Sequence, residues 1–182
     1  MRMQLSPPRW ARRFIADVQG VSAVEFALLL PLMLTMYLGG SEVAQAIATS
    51  RKVTLVSRTV ADLASQSSTI TNTSMTNILN ASAAVVSPYS SSKLKVTVSQ
   101  VKIDANGLAT IAWSDTLGGT QHAIGESVTL PAALVVANTW LIWSEAEFDY
   151  VPSFGSAITG SLQLKDKMYM RPRVSNSVAR TS

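Results

Sequence analysis

Residues 19–41 read Gln19-Gly-Val-Ser-Ala-Val-Glu25-Phe-Ala-Leu-Leu-Leu-Pro31-Leu-Met-Leu-Thr-Met-Tyr-Leu-Gly-Gly-Ser41, or QGVSAVEFALLLPLMLTMYLGGS. From Phe26 to Ser41 there are 16 residues without a charge, and from Val18 to Ser41 there are 24, interrupted only by Glu25. Crossing a hydrocarbon core takes about 20 apolar residues in a helix. The stretch is therefore long enough to span a membrane, with Glu25 one turn inside it. A carboxylate at mid-membrane costs roughly 2.5–3.5 kcal/mol on the insertion scale, so Glu25 needs a partner or an unusual location.

The composition agrees with a membrane segment. The 182 residues are 47% hydrophobic and only 14% charged, against about 25% charged in an ordinary soluble domain. The formal net charge of +4 is unevenly placed: Arg2, Arg9, Arg12 and Arg13 face only Asp17 in the first 20 residues. The remainder carries 11 basic and 10 acidic residues. A nucleic-acid surface needs a basic face on the folded part, and none is legible here, so no nucleic-acid partner is expected. Instead the arginines flank the apolar run on its N-terminal side. Under the positive-inside rule this keeps the N-terminus cytoplasmic and exports the residues beyond Ser41. With no cysteine in the chain, disulfides, thiolate nucleophiles and thiolate metal sites are ruled out.

Beyond the apolar run, Val43, Ile47, Leu55, Val56, Val60, Leu63 and Ala64 recur at largely helical spacing among polar residues, which predicts an amphipathic continuation to about Gln66. Pro31 should kink the first half. A second helix is expected over 74–86. Strand patterns dominate afterwards. Leu94, Val96 and Val98 alternate, then slip phase to Val101 and Ile103, which suggests a bulge. Asp104-Ala105-Asn106-Gly107 reads as a hairpin turn into Ala109, Ile111 and Trp113. Further strands are expected at 128–130, 141–151 and 162–170. The fold class that results is α+β: a long N-terminal helix, transmembrane then amphipathic, followed by an antiparallel β-sheet domain.

Gly20, four residues, then Glu25-Phe26 resembles the processing site of type IV pilin-like precursors. Together with Ala27-Leu28-Leu29-Leu30-Pro31-Leu32 it resembles TadE-like proteins, minor pilins or pseudopilins of the tight-adherence (Flp) pilus. The stretches Val96–Val101, Ala112–Asp115, Tyr150–Pro152 and Arg171–Arg173 are similar to TadE-like C-terminal regions. The resemblance implies a pilin-like fold and cleavage of Gly20–Val21 by a prepilin peptidase. Gly20, Val21, Glu25 and Phe26 form the processing site, and Glu25 serves in assembly. It also implies partners among other pilin subunits and the assembly machinery. The implied location is the bacterial inner membrane with an extracytoplasmic domain, with incorporation in a surface pilus left open. The expected organisation is a cytoplasmic leader over 1–20, a transmembrane helix over 21–41, its amphipathic continuation over 42–66 and an exported α+β domain over 67–182. A cut after Gly20 would place a new α-ammonium at Val21, one turn from Glu25, where helical side chains meet and a carboxylate complements the helix dipole.

Two alternatives compete. Phe26–Leu38 could be the core of a secretory signal, with Ala44-Gln45-Ala46 or Ala46-Ile47-Ala48 as its cleavage site. The chain would then be an exported or anchored binding protein. An enzyme is less well supported: no nucleophile elbow or phosphate loop is present. His122, the lone histidine, reads as an exposed loop residue without zinc partners, so no metal or cofactor is expected. Glu145, Glu147 and Asp149 share one strand face; they could bind calcium, but a wet face opposed by Lys165 and Lys167 is favoured. Trp113, Trp140 and Trp143 read as core or interface residues rather than a sugar platform. Arg171, Arg173 and Arg180 read as a solvated tail.

Overall fold

The computed structural model describes residues 18–154 and 160–181. The arginines of the expected leader lie outside the described residues. The chain divides into two compact units, Met1–Val43 and Ala44–Ser182.

Helix α1, Val18–Ser65, runs for 48 residues and carries Pro31 within it. Thr35 Oγ1 donates to the Pro31 carbonyl at 2.8 Å, and Ser41 Oγ to the Leu38 carbonyl at 2.8 Å. Such back-bonding satisfies short hydroxyl side chains on a helix that offers no other acceptor. In the first unit the side chains from Val21 to Tyr37 are exposed on all sides, among them Val21, Val24, Phe26, Leu28, Leu32, Met36 and Tyr37. The apolar stretch is long enough to cross a membrane, with a mean hydropathy of 1.9.

In the second unit α1 becomes one-sided. Thr49, Val53, Val56, Ser57, Val60, Ala61 and Ala64 are buried, at the three-and-four spacing that lines one helical face. The seam differs from the one expected: Val43, Ile47 and Leu55 are exposed, and Thr49 and Val53 replace them. Small and β-branched residues occupy this seam because the helix lies directly on a sheet.

After α1, the two-residue strand β1 (Thr69–Ile70) leads to helix α2, Asn72–Val86. This helix starts two residues before the expected Ser74, because Thr71 caps it: Thr71 Oγ1 accepts from the Ser74 amide at 3.2 Å, meeting one of the orphan donors of the first turn. Strands β2 (Leu94–Ile103), β3 (Ala109–Leu117), β4 (Thr139–Tyr150) and β5 (Leu162–Met170) form an antiparallel sheet in the order β3-β2-β4-β5. A last short strand, β6 (Ala179–Arg180), pairs in parallel with β1. The class is α+β, as the sequence pattern implied. The turn between β2 and β3 is closed by Asp104, whose Oδ1 accepts from the amides of Asn106 and Leu108, each at 2.8 Å. Gly107 there takes φ +83°, the region glycine enters without penalty.

Two strand expectations are corrected. The phase slip in β2 is not a bulge in that strand. Gln100 faces Trp113 and Val101 faces Ile111, so the extra residue is Ala112, on β3. The slip has another cause, since both faces of the sheet are covered. Leu94, Val96 and Val98 join α1, Ile142, Ala146 and Phe148 in one core. Val101 and Ile103 join Ala109, Ile111, Leu130, Leu141 and Trp143 in a second. Residues 128–130 form no strand; Ser127 makes an isolated bridge to Thr110, and Val128 N donates to the Ala109 carbonyl at 3.0 Å before Pro131 ends the pairing.

Candidate functional site

The motif residues sit at the start of α1. Gly20 lies in its first turn, where an added Cβ would meet nothing within 4 Å. Val21 and Phe26 are exposed, at 55% and 57%. Glu25 is exposed. Among the described residues it has no hydrogen-bond or ion-pair partner, while its neighbours Val24, Phe26, Leu28 and Leu29 present hydrocarbon. In hydrocarbon such a carboxylate would need a partner from outside the described part of its own chain.

A second cluster occupies the sheet face turned away from α1. Alternation along β4 sets Glu145, Glu147 and Asp149 on this face, and register brings Lys167 opposite Glu145 and Lys165 opposite Glu147. Lys167 Nζ lies 2.9 Å from Glu145, Lys165 Nζ 3.1 Å from Glu147, and Lys95 Nζ 3.1 Å from Asp149. The hydrogen bond to Glu145 raises the pKa of Lys167 above the usual lysine range, against a smaller desolvation effect. Asp149, by hydrogen bond and charge, raises that of Lys95. Burial raises the pKa of the Tyr169 phenol. All three carboxylates are engaged by lysines of neighbouring strands, the arrangement of a solvated charge ladder. A recess of about 450 Å³ lies over it, lined in part by Thr97, Gly119, His122 and Lys167.

His122 corrects its expectation. It is not a free loop residue: its Nε2 is 2.7 Å from Glu145 Oε2, its Nδ1 is 3.6 Å from Glu126 Oε2, and its ring stacks on Trp143 at 4.7 Å and 25°. Trp143 in turn stacks on Tyr169 at 5.9 Å. Loop residue, β4 and β5 are thus joined through one set of rings. Of the tryptophans, Trp113 and Trp143 are core residues, each 7% exposed, whereas Trp140 is half-buried with Lys102 Nζ 5.6 Å from its ring centroid.

The arginine tail is corrected as well. Arg180 Nε lies 2.8 Å from Asp115 Oδ2, and Arg180 Nη2 donates to Asn72 Oδ1 at 2.7 Å. Arg173 Nη2 lies 2.6 Å from Asp62 Oδ1, and the Arg173 amide donates to the Ser65 carbonyl. Nothing in the local sequence signals these pairs, because each partner lies tens of residues away; Arg180 is brought to its partners by the β1–β6 pairing and Arg173 by its contact with the end of α1.

These features define a class: an α+β protein whose N-terminal helix is compatible with single-pass membrane anchoring. Residues 20–62 match the family model of TadE-like protein. The match covers most of α1 and none of the sheet. No curated protein and no solved structure matches the chain.

Proposed function

We propose that this protein is a minor pilin or pseudopilin subunit of a Flp-type tight-adherence pilus. It is released by a prepilin peptidase at Gly20–Val21 and acts in assembly or priming of the filament. In this reading residues 1–20 are the cytoplasmic leader, 21–41 the membrane helix, 42–66 its continuation and 67–182 the extracytoplasmic domain. The single supporting observation is Glu25: a carboxylate unpaired among the described residues, in an otherwise apolar, all-round exposed helix turn that matches the TadE-like family model.

Cleavage supplies the charge that the carboxylate lacks. The α-ammonium created at Val21 sits four residues before Glu25, within reach on the same helix face. The same amine on an adjoining subunit reaches it equally well once the apolar faces pack together. Either pairing offsets the cost of holding a charge in hydrocarbon, so that only processed subunits assemble without penalty.

The test is the mass and sequence of the N-terminus of the protein recovered from membranes. A chain beginning at Val21 agrees with the proposal. A chain beginning at Ile47 or Thr49 is that of a secreted protein and ends the pilin reading, as does an uncut leader.

A further inference from the structure

The outer-face ladder neutralises its own charges, but a second recess does not. It has a volume of about 390 Å³ and is lined by Asn138, Thr139, Trp140, Arg171, Pro172, Ser175 and Asn176. It opens where β4 begins and β5 ends, at the sheet end shared with the C-terminus of α1, whose Ser65 carbonyl binds the Arg173 amide. Arg171 is exposed, and among the described residues its guanidinium has no carboxylate or hydrogen-bond partner. Lys102, exposed on the adjoining strand, lies over the Trp140 ring and likewise has no carboxylate partner among the described residues. Asp104, in the turn just beyond Lys102, is engaged by two backbone amides.

We propose that this recess binds a carboxylated sugar. The guanidinium fork of Arg171 matches a carboxylate in a bidentate geometry that no described side chain fills. Lys102 adds a second cation to the same end. Trp140 supplies a flat apolar wall, while the carboxamides of Asn138 and Asn176 offer donors and acceptors to ring hydroxyls. The lining is chiefly polar, which suits a polyol and not the apolar side chains of a protein partner. The volume falls within the usual range of small-ligand pockets. Asn138 takes φ +60°, a conformation uncommon outside glycine and tolerated best by Asn. Glycine would make that turn at lower cost but would bring no carboxamide to the rim. The inference does not rest on the pilus reading, whose supporting observation is Glu25.

The test uses the full chain in detergent micelles, titrated calorimetrically with tri-galacturonate, maltotriose and tri-glutamate. Tri-galacturonate binds with a Kd of about 1 mM or tighter, and maltotriose at least roughly tenfold more weakly. Arg171→Gln lowers tri-galacturonate affinity roughly tenfold. Asn138→Gly lowers it while keeping or raising the melting temperature, so that a loss of binding is not a loss of fold. Lys165→Gln, on the outer face, leaves it unchanged. Absence of binding at about 10 mM, equal affinity for maltotriose, or indifference to Arg171→Gln overturns the assignment. Tri-glutamate binding as tightly as the sugar also overturns it, making the site one for acidic peptides.

Discussion

His122 Nε2 and Glu145 Oε2 stand 2.7 Å apart, with the imidazole stacked on Trp143, so this side chain ties the loop after β3 to the centre of the sheet, beside the bonds that Thr97 makes to the Thr120 carbonyl and Gln121 to the Ser114 carbonyl. His122→Ala removes both the bond and the stack. A hydrogen bond to a charged acceptor at this partial exposure is worth about 1 kcal/mol. Urea unfolding should register that loss, and amide exchange should accelerate over 120–126 while β2 and β4 stay protected. Unchanged exchange in the loop would mean that the Gln121 and Thr97 contacts to it suffice.

Arg180→Ala should cost more, about 2 kcal/mol, because it leaves the Asp115 carboxylate, 24% exposed, without its cation. Trp113 reports the change: its Nε1 donates to the Val178 carbonyl at 2.8 Å, so release of β6 shifts its fluorescence to the red. Arg180→Lys should recover less than half of the loss, since the ammonium cannot hold Asp115 and Asn72 together in the fork geometry.

Alkaline pH should weaken the outer face. Lys167 and Lys95 have folded-state pKa values raised by Glu145 and Asp149. Their contribution is complete below the unfolded lysine value of about 10.4 and is lost as pH rises through the higher folded values. Burial of Tyr169 has the same sign, its folded pKa lying above the ordinary phenol value. Stability followed by urea midpoint from pH 8 to 11.5 should be flat up to about pH 10 and then fall. In Lys167→Met the fall should be shallower. An equal slope in the variant would show that the ion pair with Glu145 has no part in it.

Glu25→Ala should leave membrane insertion intact, since it makes the helix more apolar, while abolishing or strongly reducing incorporation into pili. Glu25→Gln separates charge from hydrogen bonding: loss of assembly there too identifies the negative charge as the requirement. Normal pilus yield from Glu25→Ala contradicts the assembly role, and normal yield from Glu25→Gln alone contradicts the requirement for charge. Cell-surface pilus counts with a membrane-fraction immunoblot make the measurement.

Much of the architecture was legible in the sequence. The uncharged run fixed the first half of α1, the alternation of Leu162, Leu164, Met168 and Met170 with Gln163, Lys165 and Lys167 matched β5 in extent, and the Asp104–Gly107 turn closed the hairpin as its residues imply. The illegible part required knowledge of the element covering each surface. Val43, Ile47 and Leu55 fit the same helical spacing as Val56 and Val60, and only the position of the sheet separates the exposed set from the buried one. The β2 phase slip records two cores on opposite faces, which a pattern read along one strand cannot distinguish from a bulge. The partners of His122, Arg173 and Arg180 are remote in sequence. At Gly20 and Glu25 the residues themselves are plain, but the partner proposed for Glu25, an amine at Val21, would exist only if the Gly20–Val21 bond were cut.

The β1–β6 pairing links Thr69 to Ala179 and Ile70 to Arg180, with all four sheet strands lying between them in the chain. During synthesis the helix and sheet can form early, yet this seam stays open until residues 178–181 have emerged. The seam is thus the last contact of the described fold to close, whatever the order in which the rest forms. Without residues 178–181, Asp115 would lose its cation and the Trp113 indole its acceptor, so the sheet edge owes its cover to the last strand.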